Sequence, residues 1–454
     1  MNRRRVFHSI ITAILIITLM SPSVCTAAAA DSGSGSAGTE DFAYVPGEVI
    51  VSFTEDTSRG EMEAIIEDVA DEPEVTELTG DSVVLETDAT SDTMDMIEQL
   101  QENPEVEYAQ PNYCYTPDSY SNDTYSRAGS SDSWYLDYMD VPEAWSAIEA
   151  FREDGTIPDT AARVRIATID SGININHEDM AGISEGGNFD TEHCVTVLAE
   201  DESSSETADL TYPHKSITHG HSTASIIGST SNNGKGTAGV AAGLHNDIAE
   251  VMAINVFRNE SGFTSVHKAT SADICAGIRY ACENGARVIM MCLGHNSSYK
   301  DGYGQAIDDV ALEEAINEAT EEYDVVCVAS AGNSNSTGSW YPSDFDACVS
   351  VINTTRYTDI DSSGCKYSSS NYGPEKDISA PGHNIRHAAR SGGYSYSTGT
   401  SSSVASAAAV AGLVRYVNPD LTQEEVKNIL YTTATDLYTA GWDKYTGYGN
   451  VNAY

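Results

Sequence analysis

Residues 402–416 read Ser-Ser-Val-Ala-Ser-Ala-Ala-Ala-Val-Ala-Gly-Leu-Val-Arg-Tyr, small and apolar at nearly every position. With no polar face, such a segment is stable only as a helix buried on nearly every side, so a large domain must surround it. Directly before it stand Gly399-Thr400-Ser401 and the polar, turn-prone run 391–398. Ser401 is therefore placed at a helix N-terminus, where free N–H groups and the helix dipole favour negative charge. A nucleophile whose reaction builds an oxyanion suits that place. A plain helix cap suits it too, and the stretch alone leaves both readings open.

The pattern from residue 133 onward supplies the domain. An apolar strand over 164–170 ends in Asp170-Ser171-Gly172, and a helix over 222–229 is opened by Thr218-His219-Gly220-His221. Strands over 251–257, 287–293, 324–331 and 347–353, with a helix over 272–284, continue the alternation. Alternating strands and helices imply an α/β fold, a parallel sheet with helices on both faces, here one domain over 133–454. Residues 44–115 form a smaller unit: strand 48–53, helix 58–70, strands 74–78 and 82–87 around Gly80-Asp81, helix 91–101, strand 106–109. The β-α-β-β-α-β order is the ferredoxin-like α+β arrangement. The polar residues 116–132 read as a linker.

Residues 1–30 read as an export signal: Arg3-Arg4-Arg5, an apolar run over 6–20, then four alanines at 27–30. His8, Ser9 and Thr12 interrupt the run, and no second apolar run of spanning length follows, so a secreted, extracellular protein without a membrane span is expected. The net charge of −46 disfavours nucleic acid and anionic membranes as partners, while 40% hydrophobic residues supply a core. Of nine cysteines, Cys275, Cys282, Cys292 and Cys327 fall in apolar patterns and read as small buried hydrophobes. Neither a disulfide framework nor a zinc site is implied.

Functional groups of open parallel sheets gather at the carboxyl ends of strands. Asp170 and Asn333 fall at such ends, and His219 and Ser401 at helix starts, so these four can converge. A serine, a base for its proton, a carboxylate to hold the base and donors for an oxyanion are what acyl transfer needs. The chain order Asp, His, Ser is one of the known orders of that constellation.

With these residues in place, the chain resembles the subtilisin-like (subtilase) serine endopeptidases. Ile169-Asp170-Ser171-Gly172-Ile173 followed by His177-Glu178-Asp179-Met180 resembles the aspartate motif, and His219-Gly220 with residues 224–228 and 232–241 the histidine motif. Cys292-Leu293-Gly294 is similar to the substrate-binding strand and Ala331-Gly332-Asn333 to the oxyanion segment. Ser379-Ala380-Pro381-Gly382, Gly399-Thr400-Ser401 and residues 448–453 complete the set. Residues 31–115 resemble the family's inhibitory prosegment. The resemblance implies a Ser/His/Asp triad working through an acyl-enzyme. Ser401 is its nucleophile, His219 its general base and acid, and Asp170 orients the imidazole. Asn333 and the Ser401 N–H form the oxyanion hole. It implies protein or peptide substrates, self-processing with the prosegment as an intramolecular inhibitor, and chemistry that needs no cofactor.

Departures from the family pattern keep a second reading open, a non-catalytic binding protein on the same fold. His221 stands where threonine is usual, giving two histidines to choose between; alignment on residues 238–241 favours His219, with His221 a partly exposed helix-start residue. Cys292 replaces a serine, and Ser402-Ser403-Val404-Ala405-Ser406 replaces the usual continuation. Trp340, before Tyr341-Pro342, is expected to narrow the pocket for the residue preceding the cut. Asp179 matches a position that can hold structural calcium, with no further ligands assigned. Residues 31–115 carry a net charge of −22 and residues 116–454 one of −27, so long-range repulsion opposes prosegment docking, which is expected to tighten with salt or as acids protonate.

Overall fold

The computed structural model describes residues 44–454 except 55–56, 70–73, 80–81, 88–92, 114–119, 159, 200–205, 208–217, 258–268, 297–308 and 357–365. The export signal (1–30) and the first part of the expected prosegment (31–43) lie outside the described residues. The chain divides into two compact units, residues 1–117 and 118–454.

The smaller unit contains β1 (Tyr44–Phe53), α1 (Arg59–Val69), β2 (Glu74–Thr79), β3 (Ser82–Glu86), α2 (Thr93–Gln101) and β4 (Val106–Tyr113). Its sheet has the order β2-β3-β1-β4 with every pair antiparallel, the ferredoxin-like arrangement expected from the sequence. Period-2 alternation along β1 turns Val49, Val51 and Phe53 inward, where they meet Met96, Ile97 and Leu100 from one face of α2.

The larger unit begins with the short α3 (Trp134–Asp137) and α4 (Val141–Glu153). Next come β5 (Val164–Asp170), β6 (Val195–Thr196), β7 (Glu206–Thr207), α5 (His219–Gly228), β8 (Ala249–Asn255), α6 (Ser271–Glu283), β9 (Val288–Met291) and β10 (His295–Asn296). Then α7 (Val310–Glu321), β11 (Val326–Ser330), β12 (Trp340–Tyr341), β13 (Cys348–Thr354), β14 (Ile378–Pro381), β15 (Ile385–Ala388), β16 (Tyr394–Ser397), α8 (Thr400–Val417) and α9 (Gln423–Thr432) complete it. The main sheet runs β14-β13-β11-β9-β5-β8-β6-β7; its first seven strands are parallel and β7 is antiparallel at the edge.

Strand alternation sends two apolar sets to opposite faces. Val164 and Ile166 of β5 join Val251, Val288 and Val326 in the core that contains α4, α5 and α8. Ala167 and Ile169 face the other way, against Ile278 of α6 and Ile316 of α7. The helix over 400–417 is buried along almost its whole length, as its composition requires. Gly412 lets it lie directly on β5, where a Cβ would come 2.5 Å from Ile166 Cδ1.

Three expectations are revised. The strand anticipated over 287–293 ends at Met291, which frees residues 292–294 from the ladder. The helix anticipated from residue 222 starts at His219, placing both histidines in its first turn. Residues 120–132, read as linker, belong to the larger unit: the Tyr125 N–H donates to Gly236 O at 2.8 Å, and Asp123 is wholly buried. Polar composition hid this, because hydrogen bonds rather than apolar burial fasten the segment.

Ile166→Ala should leave a cavity under α8 costing about 2–5 kcal/mol, whereas Val310→Ala on the exposed start of α7 should stay within about 0.5 kcal/mol. Calorimetry of the larger unit's unfolding transition, in an inert background, checks the contrast.

Candidate active site

The strand-end carboxylate and the two helix starts meet at the carboxyl edge of the sheet. Asp170 is the last residue of β5 and is almost wholly buried. Its Oδ1 accepts the Ser171 N–H at 2.7 Å, and its Oδ2 lies 2.7 Å from His219 Nδ1. A carboxylate can only accept, so Nδ1 carries the proton and Nε2 is left with its lone pair. Nε2 lies 2.9 Å from Ser401 Oγ, so the serine O–H donates to it. The Asp170 charge holds the His219 pKa above the ordinary histidine value against opposing desolvation.

Gly220 makes this approach feasible. A Cβ there would sit 2.8 Å from Ser171 N and 2.9 Å from Gly172 O, so only glycine lets α5 begin against the end of β5. The Ser171 hydroxyl accepts the Gly220 N–H at 2.9 Å, pinning the helix start.

His221 corrects its expected description as partly exposed: it is wholly buried, under the site rather than in it. Its Nδ1 accepts the Asn174 N–H at 3.1 Å, and its Nε2 has no hydrogen-bond partner. Burial, helped by His177, His387 and Arg390, drops its pKa to about 3, so it stays neutral. Nothing in this setting places it on Ser401.

Gly399 is the N-cap residue of α8, and no side chain caps the helix, so the capping alternative for Thr400 and Ser401 does not hold. The Thr400 hydroxyl instead accepts the Gly332 N–H at 3.2 Å, while the Thr400 N–H donates to Asn333 Oδ1 at 2.9 Å. That second bond fixes the Asn333 amide and leaves Nδ2 as its donor beside the first-turn N–H groups of α8. Ser401, Asn333 and His219 line a common cleft of about 910 Å³.

Cys292, Leu293 and Gly294 line the same cleft. The Cys292 thiol donates to Ser401 O at 3.5 Å, and burial, with the Asp170 charge, pushes its pKa well up. Expected to be a buried core residue, Cys292 is instead half-buried at the cleft wall, and the raised pKa disfavours its thiolate. Trp340 forms the adjoining wall. A Cβ at Gly294 would lie 2.4 Å from its Nε1, and one at Gly332 would lie 2.8 Å from its Cδ2, so the indole fills the space between the two segments. Its backbone N–H donates to Asp344 Oδ2 at 2.9 Å, and Asp344 forms a buried ion pair with Lys376.

Sequence reasoning missed Asp123 as a partner of the Asp179 region. Asp123 accepts the N–H groups of Asn232, Asn233 and Gly234, while Asp179 accepts the Asn233 side-chain amide and the Thr237 N–H. Burial raises both carboxyls, that of Asp179 to about 6 with the Asp123 charge contributing. Both carboxylates are met by N–H donors, and a hard cation would have to share the lone pairs left on their oxygens. Among the described residues, no group of three His, Cys, Asp or Glu side chains converges for a metal. The six described cysteines are all free.

A serine, an imidazole and a carboxylate bonded in series at the edge of a parallel sheet define a serine-hydrolase type of site. Residues 161–449 match the model of the subtilase family, and residues 30–112 match that of the fervidolysin N-terminal prodomain. The chain belongs to the subtilase family and is a subtilisin-like serine protease with an N-terminal prodomain. It is 28% identical over 428 residues to the thermophilic serine proteinase of Bacillus sp. (strain AK1), covering 91% of this chain and 88% of that protein. It is 28% identical over 340 residues to thermitase of Thermoactinomyces vulgaris, covering 75% and 98% respectively. In fold it is similar to fervidolysin from Fervidobacterium pennivorans, with a TM-score of 0.55 at 21% identity over 90% of this chain and 60% of that one. No helix among the described residues is long and apolar enough to cross a membrane.

The imidazole must be neutral to accept a proton, so activity should fall as pH drops through the raised His219 pKa. In Ser401→Ala protein, NMR titration should show His219 titrating above the ordinary histidine range and His221 not titrating there. Asp170→Asn should bring the His219 value down.

Proposed function

We propose that the protein is a secreted, self-processed serine endopeptidase acting through Ser401, His219 and Asp170. Ser401 Oγ attacks the scissile carbonyl carbon while His219 Nε2 takes its proton, and Asp170 steadies the imidazolium. The oxyanion is held by Asn333 Nδ2 and the Ser401 N–H. Collapse breaks the C–N bond, and His219 gives its proton to the leaving amine. Water, deprotonated by His219, then hydrolyses the acyl-Ser401 ester. The observation that carries this reading is the Asp170–His219–Ser401 series at 2.7 and 2.9 Å, opening on a substrate-sized cleft.

Domain roles follow from the same reading: residues 1–30 direct export, residues 31–115 inhibit in cis until cleaved, and the rest is the working enzyme. Trp340 limits the pocket beside Gly294 and Gly332 to smaller side chains. A structural calcium ion is proposed at Asp123 and Asp179, where it would neutralise the buried charge and steady loop 232–237.

Three outcomes are expected. Intact mass should show the wild type losing about 85 residues beyond the signal, the length of residues 31–115, while Ser401→Ala retains them; equal trimming of both would assign processing to another protease. In a peptide library, Trp340→Ala should raise the preference for a large aromatic over alanine before the cut by about 10-fold or more. Calcium should raise, and chelator lower, the melting temperature of Ser401→Ala protein, with the response lost in Asp179→Asn.

A further inference from the structure

The turn that carries Asn333 is held from behind by a second loop, residues 366–371. Asn371, almost wholly buried, is its frame. Its Oδ1 accepts the N–H groups of Ser334 at 2.9 Å and Ser336 at 3.0 Å. Its Nδ2 donates to Ala331 O at 2.8 Å, and its own N–H donates to Gly332 O at 2.8 Å. These four partners of Asn371 all lie within three positions of Asn333.

The loop bearing Asn371 is itself gathered around a buried cation. Lys366 is 2% exposed, and its Nζ donates to Tyr367 O and Ser370 O at 3.0 Å, Ser368 O at 3.4 Å and Asn335 Oδ1 at 3.1 Å. It also lies 5.0 Å from the centroid of the Tyr372 ring. Burying an ammonium is costly unless oxygens replace its water, and here loop carbonyls do so. Asn335 is the link to the site: it belongs to the Asn333 turn, has φ +48° and donates its N–H to Ser369 O at 2.8 Å.

We propose that Lys366 is a positioning residue for the oxyanion donor Asn333. Its ammonium folds residues 366–371 into a rigid cradle and grips the turn through Asn335, so that the Asn333 amide is already aimed when the oxyanion forms. An oxyanion donor works by being pre-aimed, and small displacements of such groups cost large factors in rate. The inference rests on the reading of Asn333 as that donor.

The test is a mutant cycle on protein expressed as the full chain and brought in trans to one common mature N-terminus, with kcat and KM measured on a peptide amide substrate. Lys366→Met keeps the side-chain length and removes the charge. It should lower kcat about 10-fold with KM nearly unchanged, the pattern of a lost transition-state interaction. In an Asn333→Ala background the same substitution should cost less than twofold, because the group it positions is gone. Equal losses in both backgrounds, or an unchanged kcat in folded Lys366→Met, would overturn the inference. Asn335→Ala, which cuts only the link, runs the same cycle if Lys366→Met does not fold. An unchanged kcat in Asn333→Ala would instead overturn the oxyanion reading beneath it.

Discussion

The close packing of α8 on the sheet is the constraint on which the rest of the larger unit depends. Ala405, Ala407, Ala408, Ala409 and Ala411 are all wholly buried, so the helix can be enclosed without bulky side chains keeping its neighbours at a distance. Its first turn then reaches the edge of the sheet, where orphan N–H groups meet the turn carrying Asn333. The same placement sets Ser401 Oγ against His219. A bulkier helix would push this first turn outward and separate the serine from both partners.

The two histidines of α5 show how burial and charge divide the labour of one helix turn. They are two positions apart in sequence. His219 faces Asp170, whose charge raises its pKa, whereas His221 is buried under the site and is pushed down to about 3. The first is suited to proton transfer near neutral pH; the second is packing material with one satisfied nitrogen. Cys292 follows the same logic, since desolvation raises the pKa of a thiol close to the serine and so disfavours its thiolate. Local electrostatics thereby distinguishes side chains that lie side by side and suits one imidazole, that of His219, to the proposed chemistry.

Much of the architecture was legible because it rests on periodicity. The strand over Val164–Asp170 follows from its apolar run, and the buried α8 from its lack of a polar face. The four central site residues were legible as strand ends and helix starts in a known chain order. The clasp of residues 120–126 was not, because Asp123 holds the 232–234 loop by hydrogen bonds and no hydrophobic pattern announces it. Nor was the frame around Asn333: Asn371 and Lys366 lie in a polar stretch with no hydrophobic period or motif to mark it.

What the sequence determined by itself is therefore the set of elements and the chemistry available at their ends, since hydrophobic period, helix-start signals and residue types are local properties. Alignment already favoured His219, but tertiary structure alone decided that His221 is wholly buried, which way the Asn333 amide points, and that Trp340 stands between Gly294 and Gly332. Those outcomes depend on distances between residues far apart in the chain, and a distance of that kind is fixed only when the whole core packs.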